Sequence, residues 1–303
     1  DQIHAELTAL AGSTPGACVA AEQDAEGVTL RFGGGAPPVR GAVAIGADGI
    51  HSALRRQLHP GEGEPKYTGF NMWRGVSPWP RFLTGASMTR VGWLTTGKMV
   101  IYPIREAVNA RGDQLINWVF EIETPTHRSR RDWTLPGRIE DVLAHVGDWR
   151  FSWLDVPAML RASEVVLEYP MVDQDPLPWW KQGRVTLLGD AAHPMVPRGS
   201  NGAGQAILDA RCLADLLARQ DPVAALAAYE AERLPATTKV VLTNRATPPD
   251  AVLREVYERT GDRPFARIED VISAEEMLAI TGAYKRVAGY DLATLKARAA
   301  TRA

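Results

Sequence analysis

The sequence predicts an α/β fold that also contains a separate antiparallel sheet and a helical C-terminal region. The α/β part is predicted because two short apolar strands each end near an acidic residue, Asp48 or Asp190, and a helical pattern follows each of them. The antiparallel sheet is predicted from residues 115–122, where apolar and polar side chains alternate with the period of a strand. From Ala246 onward the pattern is helical but polar.

Length and composition limit the class of protein. The 303 residues suffice for one large or two ordinary domains, and 45% hydrophobic and 23% charged residues are typical of a globular enzyme. A net charge of −2 gives no field that would attract nucleic acid or an anionic membrane, and the basic cluster Arg128, Arg130 and Arg131 is predicted to be a solvated loop. We expect no membrane span and no signal peptide. Cys18 and Cys212 are far apart in the sequence and predict reduced thiols in the cytoplasm.

The second strand-to-helix joint has the clearest chemistry. Val185–Leu188 is predicted to be a buried strand, and Gly189-Asp190 ends it. A loop with two prolines and Gly199 leads to a helix, in which small or apolar residues recur at helical spacing: Ala203, Ile207, Ala210, Ala214 and Leu217. Open α/β sheets bind ligands at this edge, where a helix N-terminus offers unpaired N–H groups. Asp190 can accept hydrogen bonds from ligand hydroxyls, although the same pattern also occurs in ordinary strand-loop-helix joints.

The first joint has the same form. A strand over 42–45 precedes Asp48-Gly49, and a helix is predicted to continue through Leu58. Asp48 or Ser52 can simply cap this helix, so the pair of joints is more specific than either joint alone. The glycines and prolines of residues 33–38 do not match G-x-G-x-x-G, and two prolines prevent a helix from starting there; a hairpin or surface turn is predicted.

The GD motif of the flavin-dependent aromatic hydroxylases, the single-component FAD monooxygenases, is resembled by the residues Gly189-Asp190-Ala191-Ala192-His193-Pro194, with Pro197, Gly202-Ala203, Gln205-Ala206-Ile207 and Asp209-Ala210. Asp48-Gly49, with Ser52 and Arg55, resembles the DG motif of the same family. The resemblance implies that Asp190 binds the ribityl chain of FAD, that the following helix points its N-terminus at the flavin, and that the DG motif lies by the pyrophosphate and the nicotinamide route. The cofactor-binding residues so implied are Asp48, Gly49, Arg55, Gly189, Asp190, Pro197, Gly199, Asn201, Gly202 and Ala203.

Two departures from the family pattern are visible. Many members have glycine where Ser200 stands, and here the extra glycine is Gly199, which leaves the path of the loop open. The resemblance also implies a first βαβ unit with a G-x-G-x-x-G loop, and the 303 residues contain no such segment. We therefore expect that the N-terminal part of a Rossmann-like FAD-binding domain is missing, and that these residues alone bind FAD poorly and aggregate.

The middle of the chain is predicted to form the substrate domain. Strands are expected at 70–76, 87–94 and 98–104, and in the family such a sheet covers the flavin ring and shapes the substrate pocket. Trp73, Arg74, Tyr102 and Asn117 are the candidates to line that pocket. Core packing is the alternative for the aromatic residues, and a half-buried Arg74 would have an anionic partner, which can be internal. The predicted domains are 1–66 with 164–245 for FAD, 67–163 for substrate, and 246–303 as a C-terminal helical region.

The remaining elements are predicted from local patterns. Strands are expected at 17–21, 28–32 and 165–169, and helices at 138–146, 156–162 and 222–233, the last ending before Pro235. Residues 2–10 are predicted to be the end of a helix, and Pro248-Pro249 a boundary.

The likeness extends over most of the chain and is strongest to the phenazine monooxygenase branch. It is carried by five segments: 71–76, 102–104, 169–173, 175–178 and 279–282. It implies an FAD-dependent monooxygenase that hydroxylates an aromatic substrate, phenazine-like or another heteroaromatic carboxylate, with NADPH or NADH and O2, through a flavin hydroperoxide. No catalytic side chain and no metal ligand is implied, and a homodimer is possible.

Other classes fit less well. The sequence contains neither the W-x-W-x-I-P pattern of flavin halogenases nor the G-x-S-x-G pattern of serine hydrolases. Its six histidines show no metal-ligand spacing. The remaining alternative is a truncated, cofactor-free fragment that only binds an aromatic ligand. Visible absorbance of the purified protein would separate the two readings.

Overall fold

The computed structural model describes residues 16–125, 135–246 and 250–300, with the backbone alone for 297–300. The predicted helix end at 2–10, the basic cluster at 128–131 and the boundary at Pro248-Pro249 lie outside the described residues. The chain divides into two compact units. The first unit comprises Asp1–Glu64, Gln174–Pro248 and Tyr284–Ala303, and the second comprises Pro65–Asp173 and Pro249–Ala283. Residues 246–303, predicted as one region, are thus divided between the two units.

The strands are β1 (Cys18–Gln23), β2 (Val28–Phe32), β3 (Val39–Gly41), β4 (Ala44–Gly46), β5 (Lys66–Trp79), β6 (Thr89–Trp93), β7 (Gly97–Arg105), β8 (Gln114–Glu123), β9 (Arg150–Phe151), β10 (Leu154–Asp155), β11 (Val166–Asp173), β12 (Lys181–Gln182) and β13 (Val185–Leu187). The α-helices are α1 (Ala53–Leu58), α2 (Ile139–Val146), α3 (Val156–Arg161), α4 (Gly202–Leu217), α5 (Pro222–Ala246), α6 (Ala251–Thr260), α7 (Ala274–Ala288) and α8 (Leu292–Ala300). No helix in the described ranges combines the length and hydropathy needed to cross a bilayer.

The first unit contains two small sheets. β1, β2 and β3 form an antiparallel sheet, and the glycine- and proline-rich residues 33–38 are the turn between β2 and β3, which confirms the predicted hairpin. The second sheet has the order β12-β13-β4, in which β13 and β4 are parallel neighbours. The two strands predicted from the acidic strand ends therefore lie side by side. Their buried side chains, Ala44, Val185 and Leu187, belong to the same core cluster as Leu54 of α1, Leu213 and Tyr229.

The second unit is built on a five-stranded antiparallel sheet with the order β11-β5-β8-β7-β6. The predicted alternation in β8 is confirmed, since Ile116, Trp118 and Phe120 are fully buried on one face of the sheet. This apolar face packs against α2 and α3, because apolar side chains of both helices, such as Val142 and Met159, belong to the same core cluster. The other face carries the alternate residues of each strand.

The prediction that a helix ends before Pro235 is wrong, because α5 continues through it to Ala246. A proline inside a helix removes one hydrogen bond and costs about 3 kcal/mol. Both halves of α5 are anchored by buried side chains, Leu226 and Tyr229 before the proline and Val240 and Val241 after it. Burial of each such side chain is worth about 1.5–3 kcal/mol, which outweighs the cost of the proline.

Helix α4 buries a different face from the one that its apolar residues suggest. Ile207 is 69% exposed, whereas Gln205, Asp209 and Leu213, spaced four residues apart, are buried. The predicted helix is therefore confirmed, but its inward face is mainly polar. These buried polar side chains lie beneath the candidate site.

Candidate functional site

The candidate site lies where β4 and β13 end. These strands are parallel, with Gly46 opposite Leu187, so the segments that follow them leave from the same edge of the sheet. Asp48 follows β4, and Asp190 follows β13 within a short 3-10 helix, Gly189–Ala191. Gly189 starts that helix with φ +62°, a left-handed conformation that glycine adopts without strain. The structure thus brings both predicted acidic residues to one edge of the sheet.

Asp190 presents a free carboxylate at the N-terminus of α4. Its side chain is exposed, and no described residue donates a hydrogen bond to it. A Cβ atom added to Gly202, the first residue of α4, would lie 3.7 Å from Asp190 Oδ1. The carboxylate therefore stands beside the unpaired N–H groups of the first helical turn, where a ligand can bind to both. Ala203 is also exposed on this turn.

Asp48 has a structural role that the sequence left open. Its Oδ2 accepts a hydrogen bond from the backbone N–H of Ala53 at 2.7 Å, and Ser52 Oγ accepts one from Arg55 N at 2.9 Å. Both side chains therefore cap α1. Gly49 has φ +74°, and no atom lies within 4 Å of an added Cβ, so only its backbone conformation calls for glycine. Contact of Asp48 and Gly49 with a cofactor stays a prediction.

Arg55 does not present its guanidinium to a ligand. It is 2% exposed, and its Nη1 donates to the carbonyl oxygens of Ala191 at 2.8 Å and Ala192 at 2.9 Å. Its Nε donates to Glu62 Oε2 at 2.7 Å, and Nη2 pairs with the same carboxylate. Arg55 thus ties α1 to the loop that carries Asp190, and its contact with a cofactor stays a prediction.

The loop before α4 explains the departure from the family pattern. Pro197–Gly199 form a 3-10 turn, which the exposed Pro197 begins, and Ser200 follows with φ +50°, a left-handed conformation that glycine would adopt at less cost. Gly199 is required for another reason, because a Cβ there would overlap the hydroxyl of Tyr284. The same position would lie 2.7 Å from Asn244 Oδ1. The loop thus needs small residues at both positions, for different physical reasons.

Asn201 occupies the N-cap position of α4 and is 6% exposed. Its Oδ1 lies 3.4 Å from Gln205 Nε2, but its buried Nδ2 has no hydrogen-bond partner among the described residues. A buried donor without a partner is costly, so a ligand atom that accepts from Asn201 would be favoured.

A buried ionic network beneath the loop was missed by the sequence analysis. Asp209 accepts hydrogen bonds from Arg233 Nε at 2.7 Å and lies 2.5 Å from His193 Nε2, while Gly189 N donates to it at 3.3 Å. Arg233 Nη2 also donates to Gln205 Oε1 at 2.7 Å. Burial by itself raises the pKa of Asp209, but the hydrogen bonds and charges of His193 and Arg233 outweigh it and lower the pKa below its usual value. The available signal was the pair Gln205 and Asp209, spaced four residues apart in an otherwise small-residue helix.

In the second unit, the structure separates the predicted pocket residues. Arg74 donates from Nε to Asn117 Oδ1 at 2.9 Å, and Tyr102 is the cross-strand neighbour of Asn117. These three residues share the face of the sheet opposite its apolar core. Trp73 points to the core, where its ring centroid lies 5.9 Å from that of Phe120. Core packing, the alternative considered for the aromatic residues, therefore describes Trp73.

The expectation that Arg74 is half-buried is wrong. The side chain is exposed rather than half-buried, and its hydrogen-bond partner among the described residues is the neutral amide of Asn117. Its terminal nitrogens have no partner in the described part of the chain. Asn117 is fully buried and its Nδ2 lacks a partner there as well.

Paired acidic strand ends and a free carboxylate at a helix N-terminus are typical of α/β domains that bind a ligand at the carboxyl edge of the sheet. The family model described as "FAD binding domain" matches residues 4–244, and the chain belongs to that family. The predicted family and fold class are thereby confirmed.

Individual relatives agree with this assignment. The chain is 41% identical over 258 residues to phenazine 1,6-dicarboxylic acid hydroxylase from Lysobacter antibioticus, a match that covers 84% of this chain and 61% of the relative. It is 40% identical over 228 residues to 3-amino-4-hydroxybenzoate 2-monooxygenase from Streptomyces platensis, covering 74% of this chain and 54% of the relative. A solved salicylate hydroxylase substrate complex superposes with a TM-score of 0.67 at 27% identity, covering 96% of this chain and 75% of that one. The chain thus spans less than two thirds of the length of these two curated relatives.

Proposed function

We propose that the protein is an FAD-dependent monooxygenase that hydroxylates an aromatic carboxylate with NADPH or NADH and O2. The observation that carries this proposal is the free carboxylate of Asp190 at the N-terminus of α4, in a chain of the FAD-binding domain family. Bound FAD, reduced by nicotinamide, would supply the activation of O2 and the transfer of an oxygen atom to an electron-rich ring.

The residues at the sheet edge fit this cofactor. Asp190 is an acceptor without a partner among the described residues, which suits the hydroxyls of a ribityl chain. The N–H groups of Gly202 and Ala203 and the buried Nδ2 of Asn201 are donors, which suit the carbonyl oxygens of a flavin. The N-terminus of α4 would stabilise negative charge on a ring beside it by about 0.3–2 kcal/mol. Arg55 would hold the Asp190 loop in place from behind.

An aromatic carboxylate is proposed as substrate because of Arg74. Its Nε is held by Asn117, which fixes the orientation of the guanidinium and leaves the terminal nitrogens to bind a carboxylate as a fork. Tyr102, on the neighbouring strand, adds a half-buried ring and a hydroxyl on the same face. The relatives named above act on a phenazine dicarboxylic acid and an aminohydroxybenzoate, both of which are aromatic carboxylates. We extend that substrate class to this protein.

The test compares Arg74→Gln with Arg161→Gln, an exposed arginine on α3. If Arg74 binds the carboxylate, Arg74→Gln raises KM for aromatic carboxylates in NAD(P)H oxidation by about ten- to a hundredfold, because a charged hydrogen bond is lost. FAD content and activity with neutral aromatic alcohols stay unchanged, and Arg161→Gln behaves as wild type. An unchanged KM in Arg74→Gln would place the carboxylate subsite elsewhere.

We further propose that the protein works in a reducing compartment and that it self-associates. Cys18 and Cys212 are free thiols, and burial, the largest contribution, raises the pKa of Cys212 to about 11, so it stays protonated and unreactive. This chemistry fits the cytoplasm. Sedimentation velocity of the FAD-loaded protein would decide between a monomer and a homodimer.

A further inference from the structure

We propose that the second unit carries an additional binding site for a planar aromatic monocarboxylate, formed by α6, the turn after it and the end of β6. These elements line an open cavity of about 330 Å³. None of the four predicted substrate residues, Trp73, Arg74, Tyr102 and Asn117, lines it. The site is therefore distinct from the substrate subsite proposed above and does not depend on it.

The walls of the cavity favour a flat apolar ligand. Three aromatic rings line it, those of Trp93, Tyr257 and Phe265, together with Leu253 and other aliphatic groups. Phe265 is a large apolar side chain that remains 45% exposed, so a ligand that covers it would remove apolar surface from water. Aromatic rings gain further from offset or edge contacts with a second ring. The volume lies near the lower end of the range for small-molecule sites, about 300–1,000 Å³, and accommodates a ligand of one to three fused rings.

The charged groups at the rim favour one carboxylate. Arg263 donates from Nε to the carbonyl of Thr260 at 3.1 Å, which orients its guanidinium, and its terminal nitrogens have no partner among the described residues. Tyr257 is another lining residue, and its hydroxyl also has no partner among the described residues. A guanidinium and a phenol hydroxyl can together hold a carboxylate whose ring lies against the aromatic walls.

Asp262 limits the ligand to a single negative charge. Gly261 and Asp262, which follow α6, both have φ +59°. The backbone N–H of Asp262 donates to Tyr257 O at 3.3 Å, which ends α6 and fixes the turn. Asp262 and Arg263 are both lining residues of the cavity. A second anionic group on the ligand would be repelled there, so a dicarboxylate is disfavoured.

The cavity is formed before any ligand binds, because the start of α6 is anchored to the sheet. Lys98 Nζ on β7 donates to Asp250 Oδ2 at 2.5 Å and also pairs with Glu121 on β8. All three side chains are at least 95% buried. Asp250 occupies the N-cap position of α6, so this ionic contact holds the helix against β7 and β8. Preorganised walls reduce the entropy lost on binding.

The experiment titrates the 303-residue protein with para-fluorobenzoate and follows fluorine NMR line width, with para-fluorobenzyl alcohol as the neutral analogue and fluoroterephthalate as the dicarboxylate. In the Arg74→Gln background, which removes carboxylate binding at the proposed substrate subsite, Arg263→Gln should weaken para-fluorobenzoate binding by about tenfold and bring it to the level of the alcohol, because the charged contact is lost. Phe265→Ala should weaken binding of both by several-fold. Fluoroterephthalate should bind more weakly than para-fluorobenzoate.

Two control variants locate the binding. Arg267→Gln removes an exposed arginine that does not line the cavity, and Arg74→Gln removes the proposed substrate subsite in the other part of the sheet. Both variants should still bind para-fluorobenzoate at the cavity. The proposal is overturned if para-fluorobenzoate does not bind, if Arg263→Gln and Phe265→Ala bind it as wild type does, or if Arg74→Gln alone abolishes binding. Thermal unfolding of each variant checks that it is folded, and the exposed positions of Arg263 and Phe265 make loss of folding a minor concern.

Discussion

Replacement of Asp209 by leucine tests the buried network beneath the candidate site. Asp209 is fully buried and balances Arg233, which is itself only 6% exposed. Without Asp209, the Arg233 guanidinium keeps one neutral partner, Gln205, and the N–H of Gly189 loses its acceptor. The substitution therefore leaves a buried charge without a counter-charge, directly below the loop that carries Asp190.

The expected loss is large. Removal of one partner from a buried ion pair costs about 3–5 kcal/mol, whereas an exposed ion pair is worth about 0–1 kcal/mol. The same helix provides the matched control, since Asp215 pairs with Arg211 at 2.8 Å on its exposed face. We expect Asp209→Leu to lower the free energy of unfolding by about 3–5 kcal/mol and Asp215→Leu by less than about 1 kcal/mol. Adding Arg233→Met to Asp209→Leu should restore part of the loss, because the unpaired charge is then gone.

The assay is urea unfolding followed by circular dichroism near neutral pH and again in acid. The pKa of Asp209 is lowered in the folded protein, so its stabilising effect is fully present above its unfolded pKa, about 3.9, and is lost as the pH falls through the lower folded value. The difference between wild type and Asp209→Leu should therefore shrink below about pH 4. Equal effects of Asp209→Leu and Asp215→Leu, or a double variant no more stable than Asp209→Leu, would refute the reasoning.

Two further substitutions test the packing of each unit. Gly199→Ala should destabilise the protein by about 1–3 kcal/mol in thermal or urea unfolding, because the new methyl group overlaps a neighbouring side chain, while Gly61→Ala, with open space around it, should change stability by less than about 0.5 kcal/mol. Lys98→Met should destabilise by about 3–5 kcal/mol, because the buried carboxylates of Glu121 and Asp250 then lose the cation that they share; a loss below about 1 kcal/mol would show that the cluster does not anchor α6.

Much of the fold follows from local patterns in the sequence. The alternation over 115–122 predicts a half-buried strand because side-chain direction has a period of two residues, and β8 buries the predicted face. The apolar runs before Asp48 and Asp190 predict two strands that are each followed by a helix, because such runs form βα joints, and β4 and β13 confirm both strands. The signal for each strand lies within a few residues along the chain, whereas the parallel pairing of β4 with β13 joins distant residues.

The features that were not predicted correctly are those set by contacts between residues that are distant in the sequence. Pro235 marks a helix end by local rules, but buried side chains on both sides of it hold α5 together. The hydrogen bonds of Arg55 to the carbonyls of Ala191 and Ala192, more than a hundred residues away, could likewise not be read from local rules, and its contact with a cofactor stays a prediction. The inward face of α4 was also not predictable from hydrophobicity, because Asp209 is buried only with partners from other elements.

The candidate site was predicted in part. The position of Asp190 at a strand end, beside a helix N-terminus, could be read from the sequence because both features are local. The separation of Trp73 from Arg74 was equally readable, since neighbouring residues on a strand point to opposite faces. The hydrogen bond between Arg74 and Asn117 joins β5 and β8, and such a contact depends on the register of the strands.

The most direct test of the account is the affinity of the protein for FAD with and without the carboxylate of Asp190. Apo-protein is titrated with FAD, and binding is followed by flavin fluorescence for wild type, Asp190→Ala and the control Asp215→Ala. The account predicts that Asp190→Ala weakens binding by about 1.5–3 kcal/mol, roughly ten- to a hundredfold in Kd, and that Asp215→Ala leaves it unchanged. Equal affinity of wild type and Asp190→Ala would contradict the assignment of this sheet edge as the flavin site.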